Sequence, residues 1–96
     1  MMVVAVYDIS GSDADSARRL RRISGILGGY GVKVQRSVYE CVLDAEQLRA
    51  MRFALEKTMR KSEDSIRLYL LGNRYGGRIV ALGAETAGWD RESFVL

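Results

Sequence analysis

The chain has 96 residues, 48% hydrophobic and 28% charged, with a formal net charge of +3. That length suits one domain with a single core, burying about 60–65% of the surface its unfolded chain would expose, and the composition excludes a disordered chain. The absence of histidine and the single cysteine, Cys41, exclude imidazole chemistry, thiolate zinc clusters and an internal disulfide.

Any catalysis must therefore use carboxylates with a hard cation, or hydroxyl and basic groups. Twelve arginines against three lysines suit a polyanionic partner, because the guanidinium fork grips phosphate bidentately; a biased genomic base composition would give the same excess. No apolar run approaches the roughly 20 residues of a membrane span, and no charged segment followed by an apolar stretch resembles a signal peptide. The expectation is a cytoplasmic protein with no membrane association, and the lone cysteine agrees with a reducing compartment.

In chain order, Val3–Ile9 (VVAVYDI) reads as a strand that carries a carboxylate, Asp8, at its end. Ser12 or Asp13 caps a first helix, with Asp15 suiting the positive end of its dipole. Its apolar stripe is Ala17, Leu20, Ile23 and Leu27, and Gly28–Gly29 should end it. The stretch VKVQRSVYECVL is rich in strand formers and forms one long strand, or two short ones turning at Arg36–Ser37. Asp44 caps a second helix to about Arg60, with Leu48, Met51, Leu55 and Met59 inward. Ser65–Gly72 is another strand, NRYGG a turn, and Arg78–Gly83 a further strand before an irregular tail.

With the middle segment as a hairpin, the order is β-α-β-β-α-β, an α+β ferredoxin-like plait with both helices on one face of an antiparallel sheet. The first strand is nevertheless apolar on both sides: Val3, Ala5, Tyr7 and Ile9 on one, Val4 and Val6 beside Asp8 on the other. A sheet with one solvated face would alternate with polar residues. The second face is expected to be buried by another subunit, with Asp8 in or beside the interface.

VVAVYDIS, the arginine-rich ARRLRRI, LGGYGVKVQRSVYE and DSIRLYLL, in that order over roughly residues 3–83, resemble the small CRISPR-associated protein, family two. This is the ferredoxin-fold subunit that works with the CRISPR spacer integrase. Tyr39 stands where such families commonly show phenylalanine. The resemblance implies a homodimer that binds double-stranded DNA during spacer acquisition, with residues 1–83 as the domain and 84–96 as a tail. That tail would add a final strand to the partner subunit. In some members it also implies a metal-dependent endonuclease activity on RNA or double-stranded DNA. There the aspartate ending strand one, here Asp8, is the catalytic and metal-binding residue, holding Mg2+ or Mn2+ between two copies across the dimer. In other members the subunit is a structural bridge.

The residues themselves leave Asp8 with two roles. Two carboxylates brought together by a two-fold axis would recruit a cation; alternatively Asp8 caps the loop amides of Gly11 to Asp13 or pairs with an arginine. Asp13, Asp15 and Asp44 read as helix caps or first-turn charges, and Asp64 as part of the turn into a strand. Arg18, Arg21 and Arg22 project away from the helix stripe, with Arg19 at its flank, and Lys33 and Arg36 extend the basic surface; Arg74 and Arg78 could join it. These are the candidate nucleic-acid contacts, through phosphate rather than bases. Tyr7, Tyr39 and Tyr69 read as packed aromatics, and NRYGGR as a hairpin turn. Ser10 and Ser37, with no histidine base, are not nucleophiles. The same plait also carries free-standing toxin-type endoribonucleases and small-ligand regulatory domains, so fold alone does not decide function.

Overall fold

The computed structural model describes residues 1–84. It contains β1 (Met2–Asp8), α1 (Ala14–Tyr30), β2 (Gly31–Gln35), β3 (Val38–Val42), α2 (Ala45–Thr58), β4 (Ser65–Gly72) and a 3₁₀ turn at Gly76–Arg78. The four strands form one sheet in the order β2-β3-β1-β4, with every neighbouring pair antiparallel. This is the ferredoxin-like plait. The middle segment is a hairpin turning at Arg36–Ser37, where Ser37 takes φ +64°.

Both helices are capped by aspartate. Asp13 accepts a hydrogen bond from the Ser16 N–H at 2.8 Å, and Asp44 forms a reciprocal capping box with Gln47. The first helix does not stop at Gly28–Gly29. It runs on to Tyr30, whose side chain packs against the core, and closes at Gly31, whose N–H donates to the Leu27 carbonyl.

Residues directly opposite one another on antiparallel strands share a face. The register Val3–Cys41, Ala5–Tyr39 and Ala5–Leu68 places one set under the helices. There Val3, Ala5, Tyr7, Tyr39 and Cys41 meet Ile23 and Leu27 of α1 and Met51 and Leu55 of α2. Each fully buried aliphatic side chain of this kind contributes roughly 1.5–3 kcal/mol. The buried Tyr7 hydroxyl is satisfied by Ser24 Oγ at 3.0 Å. The other face carries Val4, Val6 and Asp8 of β1, Val38, Glu40 and Val42 of β3, and Arg67 and Tyr69 of β4. Val42 and Tyr69 are exposed there. Strand one is apolar on both sides, as its sequence implies.

Two expectations are corrected. The buried stripe of α1 is Ser16, Arg19, Ile23 and Leu27, not Ala17–Leu20–Ile23–Leu27; Ala17 and Leu20 are exposed. Arg78–Gly83 forms no strand. The chain leaves the sheet at Gly72 (φ +78°), turns through Gly76–Arg78, and presents Val80 and Leu82 to solvent with no strand beside them among the described residues. Of the tail 84–96 expected to pack on a partner, all but residue 84 lies outside the described residues.

Candidate functional site

Asp8 is the last residue of the central strand β1, opposite Ser65 of β4, on the face not covered by helices. Its register is regular: the one irregularity of that pairing falls between Met2 and Val3, at the far end. The side chain is exposed, and among the described residues it has no hydrogen bond and no ion pair. The loop-capping alternative is thereby corrected. Asp13 caps α1 instead, its carboxyl held below the ordinary value by the hydrogen bonds from Ser16.

Three chain segments meet at this end of the sheet. Tyr7 N–H donates to the Ser37 carbonyl at 3.1 Å, which brings the β2–β3 turn and Arg36 beside the end of β1. The loop Ile9–Ser12 leads into α1. Residues 60–64 lead from α2 into β4.

The arginines divide. Arg18, Arg21 and Arg22 are exposed together on the outer side of α1; Arg18 reaches Asp15 only at 3.6 Å, and Arg21 and Arg22 have no partner among the described residues. Arg36 is exposed at the hairpin turn. Lys33 is exposed on the edge strand β2, opposite Tyr39 and so on the helix-covered face.

Arg19 is the exception and corrects the expectation of a phosphate contact. It is 8% exposed and forms a bidentate pair with Asp64, Nε–Oδ2 2.9 Å and Nη2–Oδ1 3.2 Å, with Asp15 and Glu63 also on its guanidinium. With five acceptor oxygens around it, from Asp64, Asp15, Glu63 and the Ser10 carbonyl, this guanidinium is not free to hold phosphate. Asp64 is more than a turn residue: its side chain is fully buried and also accepts from the backbone N–H groups of Ser10 (3.2 Å) and Arg60 (2.8 Å). Burial alone would push its carboxyl up. The hydrogen bonds from Arg19, Arg60 and Ser10, with the Arg19 charge, outweigh that and hold it below the ordinary value.

Burial also acts on Glu40 and Cys41. Glu40, on the uncovered face opposite Val4, has its carboxyl pushed up by burial. Cys41 is buried under the helices, and burial with the neighbouring Glu40 charge pushes its thiol up to about 11, far from a reactive thiolate.

The donor set at Asp8 fits a hard, largely hydrated cation. One carboxylate with free lone pairs and room for water is the kind of ligand magnesium accepts, whereas zinc wants nitrogen and sulfur. Among the described residues no group of three or more histidine, cysteine, aspartate or glutamate side chains is arranged to hold a metal ion.

Fold and site together define a small ferredoxin-like domain with an unpaired carboxylate at the end of its central strand and arginines on the adjoining helix. The chain belongs to the Cas2 family: the family model described as CRISPR associated protein Cas2 matches residues 1–79. It is 35% identical over 85 residues to the CRISPR-associated endonuclease Cas2 of Halalkalibacterium halodurans, covering 88% of each chain. It is 39% identical over 87 residues to the CRISPR-associated endoribonuclease Cas2 of Nitratidesulfovibrio vulgaris, covering 91% of this chain and 85% of that one. Among solved structures, Streptococcus pyogenes Cas2 superposes with a TM-score of 0.75 at 34% identity, covering 86% of this chain and 100% of that one. The resemblance read from YDIS and the Tyr30–Glu40 block thus holds. Among the described residues no helix is long and apolar enough to cross a membrane.

Proposed function

We propose that this protein is a nucleic-acid-binding homodimer of CRISPR spacer acquisition, working with the spacer integrase on double-stranded DNA, and that it carries a Mg2+- or Mn2+-dependent phosphodiesterase activity at Asp8. The observation that carries the reading is the exposed, unpartnered Asp8 carboxylate at the edge of an uncovered apolar sheet face. Relatives named endonuclease and endoribonuclease support the chemistry, and RNA and double-stranded DNA are both candidate substrates. The family match favours this reading over a free-standing toxin-type endoribonuclease or a ligand-sensing domain on the same plait.

Pairing Val4, Val6, Val38, Val42 and Tyr69 with the same patch of a second chain removes them from water and brings two Asp8 carboxylates toward one axis. Each chain contributes Asp8 as ligand, and the repulsion between the two is relieved by a shared divalent ion. When bound, the ion supplies an activated water and neutralises the charge developing on a phosphodiester. Arg18, Arg21 and Arg22 hold the backbone of the nucleic acid through its phosphates, with Arg36 beside the carboxylate end.

The deciding experiment is Asp8→Asn in rigorously purified protein. Asparagine keeps the shape and removes the charge. Magnesium- or manganese-dependent cleavage is expected to fall by orders of magnitude while dimerisation and duplex binding survive. Full activity in the variant would remove the metal role and leave only a structural bridge.

A further inference from the structure

Arg19 and Asp64 do more than tie a helix to a strand. Asp64 Oδ1 accepts the Ser10 N–H at 3.2 Å, and Arg19 Nη2 donates to the Ser10 carbonyl at 3.3 Å. Both backbone polar groups of Ser10 are thus held by the one ion pair. Ser10 stands two residues after Asp8. On the other side, Ser65, the cross-strand partner of Asp8, directly follows Asp64. Asp8 is therefore fixed from both directions by the same carboxylate: through the loop that leaves β1, and through the strand that pairs with it. The loop needs such a hold, since Gly11 follows at φ +100°. A pair serving only to join α1 to β4 would make its two mutual hydrogen bonds without taking up Ser10.

We infer that Arg19 and Asp64 are positioning residues for Asp8, holding the end of β1 so that its carboxylate meets a divalent cation without reorganisation. This rests on the reading of Asp8 as a cation ligand. Partners of this kind behind a metal ligand typically change metal affinity or activity by about 10–100-fold. Lysine cannot replace Arg19 in this role: a single ammonium cannot grip both Asp64 oxygens and the Ser10 carbonyl at once.

The test uses full-length Arg19→Lys, which keeps the charge opposite Asp64, and Asp64→Asn, each assayed where circular dichroism shows it folded. Manganese alone is the probe, titrated by water-proton relaxation beside cleavage kinetics. Expected in both variants are manganese affinity about tenfold weaker and kcat lowered by about 10–100-fold, with KM for duplex and the salt dependence of binding unchanged. Wild-type manganese affinity and kcat in either folded variant would overturn the inference. The wild-type protein supplies a second check that needs no variant. By amide hydrogen exchange, the Ser10 N–H should be protected well beyond that of Gly11, and equal exchange at the two would also overturn it. If Asp8→Asn binds manganese as tightly as wild type, the cation-ligand reading falls and the positioning role with it. Ser10 protection would then persist, which separates that failure from a failure of the clamp.

Discussion

Arg19 of α1 and Asp64 of the loop before β4 lie 45 residues apart in sequence and form a bidentate ion pair with the carboxylate fully buried. Such a pair is weak evidence for net stability, because desolvation offsets the attraction, but its disruption from one side strands a buried charge. Asp64→Ala is expected to cost roughly 3–5 kcal/mol, toward the lower end because Asp15 and Glu63 remain on the guanidinium. For a domain of this size the lower figure is a fall in Tm of about 12–24 °C by calorimetry.

The same pair sets an acid limit. Asp64 binds its proton more weakly folded than unfolded, so it contributes stability above its ordinary value of 3.8 that is lost as pH falls through and below it. Asp13, lowered by Ser16, acts in the same direction. Glu40 is raised by burial and acts oppositely: its contribution is fully present below 4.5 and is lost as pH rises through its folded value. Urea denaturation across pH 2–7 should show stability collapsing in strong acid. Asp64→Asn should flatten that acid limb, while Glu40→Gln should leave it in place.

Helical phase makes a third prediction. Ile23 is fully buried on the same side as Arg19 and Leu27, and Leu20 lies 42% exposed around the turn. Ile23→Ala should cost about 2–4 kcal/mol, whereas Leu20→Ala should stay within about 1 kcal/mol. Equal costs in denaturation would return the stripe to the phase expected from Ala17 and Leu20.

The order of elements is legible because the hydrophobic period changes from 2 to 3.6 and back at each boundary, and because Asp13 and Asp44 mark the helix starts. The uncovered apolar face is legible too, from Val4 and Val6 alone. Arg19 is less so: in a run of four arginines within five positions, residue type suggests a solvated face. Only its spacing of four from Ile23 and eight from Leu27 shows that it points inward. Asp64 could not be read at all, since its partners are the distant Arg19 and two backbone amides that the fold alone brings near. Arg78–Gly83 has strand composition but no strand beside it, and composition carries no information on whether a neighbour is available.

Duplex binding is expected to rest on Arg18, Arg21 and Arg22. Replacing all three with alanine should weaken binding and reduce its log–log salt slope by roughly one unit for each phosphate left without its guanidinium. An unchanged slope would move the binding surface off α1. Arg19 is left out of the set because it is buried against Asp64.

The final prediction joins the open sheet face to Asp8. If two copies pair through Val4, Val6, Val42 and Tyr69, a glutamate at Val6 places a charge in the contact. Light scattering should then show monomer or aggregate, with secondary structure retained. In the intact dimer, two Asp8 carboxylates near one axis repel when no cation is present. Chelation with EDTA at low ionic strength should weaken the wild-type dimer in sedimentation, and added magnesium should restore it. Asp8→Asn removes the repulsion and the ligand together, so this variant should dimerise at least as tightly as wild type and respond neither to EDTA nor to magnesium. A cation response that persists in Asp8→Asn would place the divalent ion elsewhere on the protein. A Val6→Glu variant that remains a clean, folded dimer would move the interface off this face, and the two aspartates would then have no axis to share.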